Sequence, residues 1–141
     1  MADLEGLIRL RRNTVEEKQR IIADLFRNAE KLEKRKKDLE DKLHKEREAI
    51  ENNPELETLT YFGAFEQVAL RDIDRLTQEL KKWEERIEVA QDDMRNAFAD
   101  LKRVEIVDRR RKEEALAEQQ SKETKELDEI GIEVFRRKED L

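Results

Sequence analysis

The chain has no cysteine, one proline (Pro54), one histidine (His44), one serine (Ser121) and three glycines (Gly6, Gly63, Gly131). Each scarcity removes a class of function. Without cysteine there are no disulfides and no thiolate metal sites, and a reducing compartment is compatible. With one serine and one histidine far apart, no hydrolase-type nucleophile and base pair can be assembled. Three scattered glycines leave no phosphate-cradling loop, so nucleotide binding of the P-loop kind is excluded. His44 has no spaced ligands converging on its face and reads as a surface histidine. Aromatics are 5% of the residues and apolar residues 36%, too few for a compact globular core. No apolar run approaches the roughly 18 residues needed to span a bilayer. Met1-Ala2-Asp3-Leu4-Glu5 carries acids where a secretory signal carries base and then a long apolar stretch, which points to the cytoplasm. The expected answer is a protein without catalysis, cofactor, metal or small-molecule substrate.

What is abundant is charge: 48% of the 141 residues are Asp, Glu, Lys or Arg, and the net charge is −6. That sign argues against general attraction to nucleic acid or anionic lipid. High charge with low hydrophobicity is also the signature of disorder. Periodicity decides between the two. From Leu59 the apolar residues recur by alternating steps of three and four: Leu59, Phe62, Glu66, Ala69, Ile73, Leu76, Leu80, Trp83, Ile87, Ala90, Met94, Ala97, Leu101 and Val104. Only Glu66 interrupts the series. A mean spacing of 3.5 keeps one stripe facing a partner helix along a left-handed supercoil.

A second stripe precedes it: Leu4, Ile8, Arg11, Val15, Lys18, Ile22, Leu25, Ala29, Leu32, Lys36, Leu39, Leu43, Glu46 and Ile50. Between its members lie opposite charges at i, i+4 spacing, among them Glu30 with Lys34, Glu33 with Lys37 and Asp38 with Lys42. Lys34-Arg35-Lys36-Lys37 reads as a solvated face, because acids flank it on both sides. Asn52-Asn53-Pro54 ends the first helix, since proline lacks a donor and disfavours helix in the residue before it.

The expected fold is therefore all-α: two long helices forming an antiparallel coiled-coil hairpin, a single domain over 1–141. Helix one spans about 4–51, the turn about 52–59 and helix two about 60–138. Two registers pair the stripes well. In one, residue numbers across the interface sum to 105 (Leu32 with Ile73); in the other they sum to 112 (Leu32 with Leu80, Ala29 with Trp83), which sets Glu46 against Glu66. The second helix is the longer, with an overhang beyond about 105. There the seam decays into Arg109-Arg110-Arg111-Lys112, and a lone polar helix is expected to fray unless a partner holds it. The chain is expected to be a monomer when free. Trp83 and Met94 are explained by seam packing alone.

Two features exceed packing. Tyr61, Phe65 and Val68 lie off the seam at i, i+4 and i+7, and read either as a contact patch or as a cover over Leu56 or Ile50. Leu127, Ile130, Val134 and Phe135 form a short apolar stripe with no partner helix left to cover it. They are a candidate docking surface just before Arg136-Arg137-Lys138. The Arg109–Lys112 run could meet an acidic partner or phosphate, but Glu113 and Glu114 make nucleic acid a minor candidate.

Taken together, these places resemble the FliJ family of the bacterial flagellar export apparatus. Leu7-Ile8-Arg9-Leu10-Arg11-Arg12 with Glu16-Glu17-Lys18-Gln19 is similar to that family's opening helix. Phe62-x-x-Phe65, with Trp83 further on, resembles its aromatic pattern after the turn. Lys125-Glu126-Leu127-Asp128-Glu129 and the basic residues 136–138 resemble its closing segment. The resemblance implies a non-enzymatic component of type III protein export, serving flagellum biogenesis and motility. It implies a central stalk that stimulates the hexameric export ATPase. It also implies contact with the cytoplasmic part of the export-gate membrane protein and with flagellar export chaperones, at the cytoplasmic face of the inner membrane. Carried onto this chain, Phe62, Phe65 and Ala69 would face the gate, and the paired ends would enter the ATPase ring. Asp72 departs from the small apolar residue that this face would favour. A generic coiled-coil scaffold or adaptor, or the equivalent injectisome stalk, would share the architecture.

Overall fold

The computed structural model describes residues 4–140. It contains two helices, α1 (Glu5–Asn52) and α2 (Leu56–Glu139), packed against each other, with no strand among the described residues. α2 is the longer, at 84 residues against 48. The residues fall into two units. One is Asn13–Ala97; the other joins Met1–Arg12 with Phe98–Leu141.

The unit Asn13–Ala97 is an antiparallel hairpin closed by a link of three residues. At the end of α1 the Asn53 amide donates to the carbonyls of Ala49 and Ile50 at 3.1 and 3.2 Å. Pro54 has no amide with which to continue that ladder. The Glu55 amide then donates to the Asn53 carbonyl at 3.0 Å, and the Leu59 amide to the Glu55 carbonyl at 2.9 Å, which opens α2. No described residue takes a positive φ, so this reversal needs no glycine, and none is present in it. The link is thus shorter than the turn of about 52–59 read from the sequence. Leu56, Glu57 and Thr58 contain no helix breaker, and Glu57 places a negative charge in the first turn, where the helix dipole favours it.

Burial in this unit follows the stripes. Val15, Leu43 and Ile50 of α1 are buried, as are Ala69, Leu76, Leu80, Ile87 and Ala90 of α2. The other stripe members between 15 and 50 and between 62 and 97 are half-buried, including the polar Lys18, Lys36, Glu46 and Glu66. Leu59 is the exception, 44% exposed.

One cross-helix pair selects the register. Arg47 Nη2 lies 3.1 Å from Glu66 Oε1. These positions add to 113, one residue from the pairing that sums to 112. In the pairing that sums to 105, Glu66 would stand eight residues from the position facing Arg47, about 12 Å along the axis. The chosen register sets Glu46 against Glu66, and Arg47 supplies the cation that this like-charged pair requires. The same register places Asn53, in the link, across from Leu59, which explains why that leucine is left uncovered.

The ion pairs differ from the i, i+4 Glu–Lys set expected on α1. Close pairs here are chiefly Asp with Arg at i, i+3: Asp24 with Arg27, Asp72 with Arg75 at 3.6 Å and Asp92 with Arg95 at 2.7 Å. A short carboxylate leaves the long guanidinium room to bridge one turn. Lys42 places its ammonium 5.2 Å from the centre of the Phe65 ring.

In the other unit Leu101 is buried, and Ile8, Arg11 and Val104 are half-buried along the continued stripes. Arg12 Nη2 stands 3.8 Å from Glu105 Oε1. Every residue from Arg109 to Asp140 is exposed, and α2 continues unbroken to Glu139. Local pairs account for this. Lys112 bridges to Asp108 at 3.0 Å and Arg137 to Glu133 at 3.7 Å, while the Gln119 side-chain amide donates to Glu123 at 3.3 Å. Arg136, Arg137 and Lys138 fill the last turn, where cations complement the helix dipole.

Candidate partner-binding surfaces

The hairpin tip presents the first surface. Leu56 and Tyr61 are 81% and 68% exposed, and Val68 is also exposed. The exposure of Leu56 shows that the aromatic row does not fold over it, whereas Ile50 beneath is buried. Phe65 is half-buried, with one contact of its ring taken by the Lys42 ammonium, an attraction of about 0.5–1 kcal/mol at such exposed sites. Phe62 is half-buried in the seam. Ala69 is 2% exposed and faces the opposite helix, so it offers no surface to another protein. Of the five tip residues singled out from sequence, Tyr61, Phe65 and Val68 share an outward face; Phe62 and Ala69 belong to the interior. Asp72, next on that outward face, is half-buried and joined to Arg75, which gives the apolar row a charged border.

Leu56 and Leu59 enlarge the tip surface beyond what the spacing indicated. The signal was available: a proline-bounded link leaves the first turn of the following helix without a facing helix.

The second surface lies near the end of α2. Leu127, Ile130, Val134 and Phe135 are all exposed, as expected from the sequence, and Ile132 joins them. At 100° per residue these five spread over roughly 200° of the helix circumference, wider than the stripe of about 100° by which a helix docks on one face.

His44 Nε2 pairs with Glu48 at 3.1 Å on an exposed face. No group of His, Asp and Glu among the described residues is disposed to hold a metal ion. No described helix is long and apolar enough to cross a membrane.

The family model of the flagellar FliJ protein matches residues 1–140. The chain belongs to the FliJ family. No curated protein and no solved structure matches it. Membership in the FliJ family carries a role related to flagellar export, in a family that is a non-enzymatic component of that apparatus. The helix–link–longer helix order is the one expected from the two stripes and the break at Asn52-Asn53-Pro54.

Proposed function

We propose that this FliJ-family chain is a central stalk and stimulator of the hexameric flagellar export ATPase, linking it to the export gate and to export chaperones. The carrying observation is the exposed end of α2. A helix whose apolar side chains surround it over some 200° is suited to being enclosed by several partner surfaces at once, as in a ring, rather than to docking by one side. The tip row of Tyr61, Phe65 and Val68 serves as the separate surface for the cytoplasmic part of the gate protein. Exposed, mixed-sign charges along α2 give weak, exchangeable contacts, which suit a component that must turn or release. In this reading the protein acts in the cytoplasm as a monomer and reaches the inner membrane through its partners.

The test combines two readouts on the purified chain. Added protein is expected to raise ATP hydrolysis by the export ATPase, and replacing Leu127, Ile130 and Phe135 together by Ser is expected to abolish that rise. The double variant Tyr61→Ala, Phe65→Ala is expected to lose binding to the gate segment while still stimulating the ATPase. Absence of stimulation by the wild-type chain would overturn the reading. A twofold mass in light scattering would instead favour a dimeric scaffold.

A further inference from the structure

A different surface is built where the first residues of α1 meet α2, within the unit that joins Met1–Arg12 with Phe98–Leu141. Leu4 and Leu7 stand with Val104 and Val107 around a depression of about 180 Å³, and Arg103 and Arg111 complete its lining. Leu7 and Val107 are 38% and 42% exposed, so the apolar floor is open to solvent. A cavity of about 150 Å³ accepts a benzene ring, so this one has room for one leucine or phenylalanine side chain.

The charge around it is opposite in sign to that of the whole protein. Residues 4–12 and 98–112 hold nine basic residues against four acidic ones, in a chain of net charge −6. Arg103 commits one nitrogen to Asp100 at 3.0 Å. Arg109, Arg110 and Arg111 are exposed and make no ion pair with a described acid. A guanidinium presents a planar fork that matches a carboxylate, and it is weakly hydrated, so it suits the rim of an apolar site better than an ammonium does.

We propose that this depression receives one large apolar side chain of an acidic peptide segment, with carboxylates on either side of that residue taken by Arg103 and Arg111. An anionic membrane is the poorer fit. The basic run gives way at once to Glu113 and Glu114, Glu105 and Asp108 interrupt it, and the pocket takes one side chain rather than a lipid surface. The proposal goes beyond the export reading and does not depend on it.

The experiment uses the full chain and a fluorescein-labelled peptide with one phenylalanine flanked by glutamates, read by anisotropy at low and physiological salt. Saturable binding is expected, weakened by salt. Val107→Asp and Arg111→Glu are each expected to weaken it at least tenfold, while Val89→Asp, also exposed but in the other unit, leaves it unchanged. Circular dichroism confirms that each variant keeps its helix content. The proposal is overturned by any of four results: no saturable binding up to about 1 mM, a limit set by the weakest specific affinities; equal binding of peptides with lysine for glutamate or alanine for phenylalanine; insensitivity to both variants; or binding of phosphatidylserine vesicles in place of the peptide.

Discussion

Two leucines of α2 test the packing argument against each other. Leu80 is 8% exposed and Leu127 is 68% exposed, so the same substitution should give very different losses. Leu→Ala removes three carbons. At about 0.8 kcal/mol for each buried CH₂, Leu80→Ala loses about 2.4 kcal/mol of transfer free energy. Deep cores add a cavity penalty that brings such changes to about 2–5 kcal/mol. A seam between two helices is open along both sides, so water and neighbouring stems fill the gap and the penalty stays small. The expected loss is about 2–3 kcal/mol, which for a chain of this size lowers Tm by about 5–10 °C. Leu127→Ala should lie within about 0.5 kcal/mol of wild type. Thermal and urea melts followed at 222 nm measure both. If the two variants lose the same stability, the assignment of Leu80 to a shared interior and Leu127 to an unpartnered face is refuted.

Other outcomes are equally open to measurement. The chain has no native cysteine, so paired cysteines report register cleanly. Leu32→Cys with Leu80→Cys should cross-link efficiently within one molecule through a short bis-maleimide, and Leu32→Cys with Ile73→Cys should not; the reverse yield would overturn the register argued from Arg47 and Glu66. Gly63 lies inside α2 with open space where a Cβ would stand, so Gly63→Ala should raise stability by about 0.5–1 kcal/mol in the same melts. A destabilised Gly63→Ala would show that backbone freedom is required there.

The seam was legible in the sequence because its signal is local. A step of three or four residues decides which side chain faces the other helix, and every stripe member in the paired part of the chain is buried or half-buried apart from Leu59. Register was not legible, because the two pairings differ by one whole heptad and match apolar to apolar equally well. The deciding contact, Arg47 to Glu66, involves a residue outside either stripe. Leu59 has the spacing of the stripe without its burial for a related reason: periodicity continues past the point where the facing helix has already stopped. Beyond residue 109 the seam no longer speaks for the helix, and the Lys112–Asp108 and Arg137–Glu133 bridges support it from within. At the candidate surfaces, spacing marks Tyr61 and Leu127 as exposed residues, whereas the family resemblance points Ala69 toward a partner although its stripe position turns it to the other helix. The depression lined by Leu4, Leu7, Val104 and Val107 could not be read in advance, since its two sides are about a hundred positions apart in the sequence.

The three-residue reversal at Asn53, Pro54 and Glu55 also dictates an order of assembly. Residues beside it need to close only a short loop to meet, while Arg12 and Glu105 must close one of more than ninety residues. Loop entropy rises with that separation, so pairing should begin beside the proline and advance turn by turn toward the termini. Opening then runs backwards along the same path, with amide exchange fastest at the two ends of the chain and slowest in the paired turns next to the reversal.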